Sequence, residues 1–351
     1  ARPAAVNADT PAVSFVVDTI GDSNSRAEPC EFRANDGVGF ELQSAELFVS
    51  APVDPFLRAY GVFAASTLEG FDASPQLAGL SNDPLGDLNP ELTYEINHQA
   101  SVRMAQMARE LGVERYVFSS SCSNYGAGVD DWLSEESAFN PVTPYGKSKV
   151  MVEQDVAQLA NDKFSPTFLR SATAYGVSPR LRFDLVLNNL TAWAYTTGLV
   201  YLKSDGTPWR PVVHIEDMAL AFVAALHAPR ELIHNEAFNV GRPEENYRIR
   251  ELAEIVAETV PNSRVEFAEG ASPDKRNYRV DSSKIARVLP EYKPQWTARK
   301  GAQELYEAYQ RVGLQLEEFE GPRYRRIDHI KMLMADGRLD NRLRWRETIP
   351  A

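Results

Sequence analysis

The sequence predicts an α/β protein with a parallel sheet, on three observations from residue 68 onward. Apolar runs of strand length alternate with stretches of helical period, the runs end in hydroxyl residues, and Pro, Asn and Gly mark the helix ends. The first helix opens at Asn89 and Pro90, carries Ile96, Ala100, Met104, Met107, Ala108 and Leu111 at helical spacing, and stops at Gly112, a residue suited to a left-handed cap. "RYVFSSS" then reads as a buried strand that delivers Ser119, Ser120 and Ser121 to a sheet edge. In "TPYGKSK", Thr143 is the expected N-cap and Pro144 the first residue of a second helix, with Val150, Val152, Val156 and Leu159 as its apolar stripe. "PTFLRSATAYG" is the next strand, with Ser171 and Thr173 at its polar end.

Strands joined through helices run parallel, and ligands of such sheets bind beyond the carboxyl ends of the strands. The serines and the helix that follows them are therefore expected to face one crevice. Tyr145 and Lys149 lie one helical turn apart, so their polar tips converge. A free tyrosine has a pKa of about 10, and making it a base at neutral pH takes roughly 4 kcal/mol of phenolate stabilisation, which a fixed ammonium supplies in large part. Ser121 would hold a substrate hydroxyl while Tyr145 takes its proton. The hydride then needs an acceptor that no side chain provides, which implies a nicotinamide cofactor.

Composition bounds these readings. The 351 residues are 44% apolar with no run of membrane-spanning length, and the formal net charge of −12 argues against general affinity for nucleic acid or an anionic membrane. Cys30 and Cys122 form neither a disulfide framework nor a zinc spacing, the five histidines show no ligand pattern, and a cytoplasmic protein without a visible leader is expected.

The motifs resemble those of the extended short-chain dehydrogenase/reductases, in particular the NAD-dependent sugar-nucleotide epimerase/dehydratase group typified by UDP-glucose 4-epimerase. The resemblance runs from about Leu68 to Ser283 through "LEGFDASPQLAGLSNDP", "YEIN", "GVERYVFSSSCSNYG", "NPVTPYGKSKVMVE", "LRSATAYG", "NNL", "DGTPWRPVVHIEDMALAF", "FNVG" and "DKRNYRVDSSK". It implies a doubly wound Rossmann-type sheet from residues 1–177 with 211–241, a smaller substrate lobe from 178–210 with 242–315, and a helical extension over 316–351. It makes Ser121, Tyr145 and Lys149 the catalytic set and NAD the cofactor. Leu77, Ala78, Gly79, Leu80 and Asn97 would line the cofactor, Lys149 would touch its ribose, and Ser119 and Ala172 would face the nicotinamide. Thr173, Asn189, Arg210 and Arg276, with Tyr278 a further candidate, would hold a nucleotide-diphosphate sugar, whose phosphates suit arginine forks. Arg180, Arg182 and Arg279 receive no role; His214 and Asp217 are expected to be structural. A homodimer through helices including that of Tyr145 is also implied.

Two departures matter. No G-x-G-x-x-G occurs; counting back from "LEGFD" places the phosphate loop at residues 6–14, with "FVV" opening its helix, and neither Glu28 nor Glu31 can be assigned as the acidic residue that selects NAD. After Ser121 stand Cys122 and Ser123, where the resembling 4,6-dehydratases carry Asp-Glu. This favours epimerisation by transient oxidation, with a ketosugar reductase or dehydratase of the same family, or an inactive nucleotide-binding scaffold, as alternatives.

Overall fold

The computed structural model describes residues 12–18, 44–52, 58–66, 70–76, 80–81, 83–126, 132–178, 181–202, 204–268, 277–322 and 324–346, and for the strands up to residue 76 it describes the backbone. The strands in chain order are β1 (Ala12–Asp18), β2 (Ser44–Pro52), β3 (Arg58–Ser66), β4 (Gly70–Gln76), β5 (Arg115–Ser121), β6 (Ser165–Ser171), β7 (Thr173–Tyr175), β8 (Leu199–Leu202), β9 (Trp209–His214), β10 (Glu236–Val240), β11 (Asn246–Arg248) and β12 (Arg264–Phe267). The main sheet has the order β1-β2-β3-β4-β5-β6-β10. From β4 to β10 all pairings are parallel, and Ser121 of β5 stands opposite Ser171 of β6, which is paired with Val240 of β10. Three carboxyl ends thus finish level, as the strand and helix alternation predicts.

The first part of the sheet differs from expectation. β1, β2, β3 and β4 pair antiparallel, so residues 12–76 contain no parallel strand-helix-strand unit among the described residues. The links at 53–57 and 67–69 are far shorter than the dozen or so residues a parallel crossover needs. "FVV", expected to open a helix, lies inside β1, where its β-branched valines suit extended backbone.

The remaining elements follow their local signals. Asn89 caps the predicted first helix by accepting from the Leu92 N–H at 3.0 Å, and Gly112 takes φ +81° at its end. Between Pro90–Thr93 and Ala100–Glu110, however, Tyr94–Gln99 forms a π-helical turn, in which the Ala100 N–H reaches the Glu95 carbonyl. The wider turn shifts the helical register. The buried face beyond it is Ser101, Ala105 and Ala108, while Met107 and Leu111 of the predicted stripe are 59% and 64% exposed.

Both faces of the parallel half are covered. Tyr116, Phe118, Phe164 and Phe168 pack against Val152 and Val156 of the helix Pro144–Ala157; on the other face Val117, Leu169 and Phe238 pack against Phe222 and Ala225 of Ile215–His227. At Ala172 the chain leaves the main sheet and continues as β7 in the three-stranded sheet β11-β9-β7. One predicted strand therefore serves two sheets. A second core gathers Phe183, Leu187, Leu252, Val256, Leu305 and Tyr309.

The closing stretch forms helices Leu316–Phe319 and Arg326–Ala335. Phe319 joins the second core, whereas Ile330, Leu333, Leu339 and Leu343 pack against Leu80 and Leu92 beside the first helix. Arg342 pairs with Glu95 at 2.6 Å and Asn89 donates to the Asn341 carbonyl at 2.9 Å. Leu333 is 2% exposed, so Leu333→Ala is expected to lower stability by about 2–5 kcal/mol through the lost side chain and the cavity left behind. Urea unfolding of the full chain checks this; a midpoint equal to the parent's would show that the extension does not stabilise the fold.

Candidate active site

Thr143 caps the second helix as predicted: its Oγ1 accepts from the Gly146 N–H at 3.1 Å and donates to Asp83 at 2.7 Å. Tyr145 then stands half-buried at the helix start. One turn later Lys149 is buried, its Nζ donating to the Ser119 carbonyl at 2.7 Å and lying 4.5 Å from the Phe118 ring centre and 5.8 Å from that of Tyr145. Ser121 ends β5 and caps the short 3₁₀ turn Cys122–Tyr125, its Oγ accepting from the Ser123 N–H at 3.1 Å. The same hydroxyl acts on the Tyr145 side chain in the sense that favours the phenolate. The three residues predicted to act together thus meet beyond the end of β5.

Gly146 makes this approach close. A Cβ there would lie 2.9 Å from the Ser123 carbonyl oxygen and 3.2 Å from Pro141 Cβ, so even alanine must push the helix away from the turn that carries Ser121. Gly146→Ala is expected to reduce any turnover that depends on the Ser121 and Tyr145 contact by about tenfold or more, since small misplacements are costly in catalysis. Steady-state rates, compared with the unfolding midpoint, separate this from global instability.

The electrostatics differ in one respect from expectation. Tyr145 lies above, not below, its ordinary pKa: burial raises it most, Ser121 lowers it, Asp83 raises it, and Arg182 lowers it. Lys149 is itself pulled down to about 8 by burial, against an opposing pull from Glu153. In the ligand-free protein, desolvation outweighs the help of Ser121 and Arg182, and the main influences on Tyr145 do not include the Lys149 ammonium expected to supply most of that help.

Among the expected cofactor residues, Asn97 sits in the π turn and clamps Leu80 by accepting from its N–H at 2.6 Å and donating to its carbonyl at 3.1 Å. It also donates to Ser148 Oγ at 3.3 Å, which donates to the Tyr145 carbonyl at 2.7 Å. Asn97 thereby links the segment expected to line the cofactor to the Tyr145 helix. Leu77, Ala78 and Gly79 lie outside the described residues, as do residues 6–11, Glu28, Glu31 and Arg276.

Two of the substrate candidates, Thr173 and Arg210, come from the three-stranded sheet. Thr173 of β7 stands opposite Val212, and Arg210 of β9 is 6% exposed, its guanidinium 5.7 Å from the Tyr278 ring centre and donating to the Trp209 carbonyl at 2.8 Å. Tyr278 packs with Cys122 and Tyr125, so this pair abuts the turn behind Ser121. Asn189 donates to the Phe183 carbonyl at 2.9 Å. His214 caps Ile215–His227, accepting from the Glu216 N–H, and Asp217 accepts from the Gln295 and Trp296 N–H groups; both are structural parts, as expected.

Sequence reasoning missed Arg182 and Asn188. Arg182 holds Asp184 at 2.6 Å and the Ser81 carbonyl at 3.1 Å, and its charge reaches Tyr145. Asn188 accepts from the Gly176 N–H at 3.1 Å and donates to the Arg182 carbonyl at 2.9 Å, pinning both ends of the loop between. Arg182 carries no periodic or spacing signal, since only the fold returns its loop to Tyr145; the doubled asparagine in "NNL" was the one visible hint for Asn188. Among the described residues no group of three His, Cys, Asp or Glu is placed to hold a metal, and no helix is long and apolar enough to cross a membrane.

The sequence profile of the NAD dependent epimerase/dehydratase family matches residues 62–241, just over half of the chain. The chain belongs to this family. Its relatives include the UDP-glucose 4-epimerase of Bacillus subtilis (strain 168), 27% identical over 304 residues, covering 81% of this chain and 85% of the relative. Among solved structures, MoeE5 in complex with UDP-glucuronic acid and NAD is 25% identical with TM-score 0.60, covering 70% and 80% of the two chains. A UDP-glucose 4-epimerase from Thermotoga maritima, 21% identical with TM-score 0.62 over 69% and 78%, shares the Rossmann-type fold.

NAD is the cofactor of this epimerase/dehydratase family. The described residues beyond the strand ends suit it: β5, β6 and β10 finish level, Ala172 is small, and the Ser171 hydroxyl is buried without a hydrogen-bond partner among the described residues. A buried hydroxyl left unpaired is costly, so a polar ligand group at this edge would relieve it.

Proposed function

We propose that this protein is a nucleotide-sugar epimerase that inverts a sugar carbon by transient oxidation of its hydroxyl. The observation that carries the reading is the convergence, beyond the end of β5, of Ser121, which favours the Tyr145 phenolate, with the Lys149 ammonium, fixed on the neighbouring Ser119 carbonyl 5.8 Å from the Tyr145 ring centre. NAD, when bound, supplies the acceptor and later the donor of hydride. Lys149, Ser119 and Ala172 would hold its nicotinamide end. Ser121 orients the sugar hydroxyl, and Tyr145 removes that proton as the carbon is oxidised to a ketone. When reduction occurs from the opposite face of the turned sugar, Tyr145 returns the proton to the oxygen. Burial that raises Tyr145 in the free protein suits this second, acidic role, and Ser121 and Arg182, which favour the phenolate, support the first.

The 4,6-dehydratase alternative needs an acid and a base after Ser121. Cys122 is buried, donates its thiol to the Arg170 carbonyl at 3.1 Å, and is pushed well above the ordinary thiol range by burial; Ser123 has no acidic group to offer. Arg210, with Arg276 and Thr173, is the proposed grip on a UDP-hexose, the ligand class in MoeE5 and the Thermotoga enzyme. A homodimer would cover Met107, Leu111 and Met151, which are exposed on the two helices flanking the site.

The test is turnover of a panel of UDP-hexoses and UDP-hexuronic acids with NAD, resolving epimer, keto and dehydrated products. Epimer formation is the expected result; a keto or reduced product alone would reassign the chain to a reductase, and no product with no NAD(H) in a denatured extract would leave a scaffold. The rate should fall on the alkaline side with a midpoint near about 8, because Lys149 carries its charge below that pH and loses it above. A rate flat from pH 7 to about 10 would contradict the role given to the ammonium.

A further inference from the structure

Beneath the proposed site lies a buried polar hub that none of the roles above uses. Glu153 and Arg170, each 5% exposed, form an ion pair at 2.7 Å, with Arg170 Nε also donating to both carboxylate oxygens at 3.1 Å. Glu153 Oε1 further accepts from the Ser120 hydroxyl and from Asn124 Nδ2, the latter at 2.8 Å. Arg170 Nη1 donates to Tyr125 Oη at 3.0 Å and to the Glu135 carbonyl at 2.9 Å, and Tyr125 donates to Asn239 Oδ1 at 2.7 Å.

The hub's placement is informative. Ser120 lies between Ser119, whose carbonyl holds Lys149, and Ser121; Asn124 lies in the turn that Ser121 caps. Glu153 stands one helical turn beyond Lys149 on the same helix, so a single carboxylate ties together the strand end, the turn and the helix that supply the three reacting groups. We propose that Glu153 is a positioning residue for the reaction: by binding Ser120 and Asn124 it holds Ser121 in register with Tyr145, and its carboxylate stands as a counter-charge one helical turn from Lys149.

The charges around Lys149 support this. From its own helix it meets Tyr145 and Glu153; from β5, the Ser119 carbonyl and the Phe118 ring; from β6, Arg170 through Glu153; Asp83 and Arg182 act on Tyr145. Cys122, Tyr125 and Glu135, the other titratable groups at the hub, lie toward Arg170, and Cys122 also acts on Tyr145. Burial pulls Lys149 down, and Glu153 is the charge that opposes it.

The inference rests on Ser121, Tyr145 and Lys149 being the reacting set, yet its first test needs no turnover. The full chain labelled with carbon-13 at the lysine ε position is titrated by NMR, the Lys149 signal being assigned with Lys149→Arg. Glu153→Gln is expected to lower the Lys149 midpoint by about one pH unit or more, and Glu153→Gln/Arg170→Met, which removes both charges, to restore about half of that. A shift below about 0.2 unit in folded E153Q, or a double variant lower than the single, overturns the counter-charge role.

Glu153→Asp keeps the charge but shortens the reach, and covers the case in which E153Q does not fold. It is expected to leave the Lys149 midpoint within about half a unit while kcat for the UDP-hexose falls about tenfold at unchanged KM. Wild-type kcat in E153D overturns the positioning role. A parent chain that shows the Lys149 coupling but turns over no nucleotide sugar sinks the functional reading and leaves the counter-charge inference standing.

Discussion

Tyr145→Phe is expected to lower epimerisation by about 1,000-fold or more with the fold unchanged, because it deletes the one oxygen that both takes and returns the substrate proton; general acid and base groups contribute about 100- to 10,000-fold. The ring is retained, so the packing of the helix start against the Asp83 and Ser121 segments is preserved, and only the phenolic oxygen on which Ser121 acts is lost. The sign of the pH effect follows from the direction of the shift. In the free protein Tyr145 is raised, so it is protonated through neutrality; ionisation followed by tyrosinate absorbance should move to lower pH once NAD is added, since a cationic ring nearby favours the phenolate. Measurements on parent and Y145F would compare rates, KM and the absorbance titration. A variant with a tenth of the parent's rate would remove Tyr145 from the proton path and, with it, the reading built on Ser121.

Arg170→Met is expected to destabilise the chain by about 3–5 kcal/mol, the range found when one member of a buried pair is removed. The cause is the isolated charge. Glu153, now 5% exposed, would keep Ser120 and Asn124 as hydrogen-bond partners but lose its paired guanidinium, with only the Lys149 ammonium one turn away, and Tyr125 would lose a donor. Replacing both partners, as in E153Q/R170M, should recover part of that loss because neither member of the ion pair is left as a lone charge. Urea unfolding of the two variants and the parent decides it. A loss below about 1 kcal/mol for Arg170→Met would mean that water reaches the pair and that the hub is not the dry junction its exposure indicates.

What could be read from the chain varies with how local the governing interaction is. Thr143, Pro144 and the valine stripe define the second helix through contacts within a turn or two, and the structure reproduces them. The stripe of the first helix was misread because the π turn at Tyr94–Gln99 adds a residue that a fixed period of 3.6 does not anticipate. Asn97 was matched by its motif, but its action, satisfying the backbone of Leu80, depends on a partner seventeen positions away. Arg182 and the Glu153 and Arg170 pair were invisible as site features, since an arginine or glutamate in a sequence is by default a solvated surface charge.

The helix, strand, helix and strand order from Asn89 to Ser171, the parallel pairing of β5 and β6, and the spacing of Tyr145 and Lys149 were determined by sequence alone, because helix period, strand length and crossover length are short-range properties. The tertiary structure decided the antiparallel start of the sheet, the exit of the chain at Ala172 into a second sheet, and the burial that raises Tyr145 and lowers Lys149. Those depend on which distant segments exclude water from the same place, and desolvation is a property of the assembled surroundings rather than of any residue.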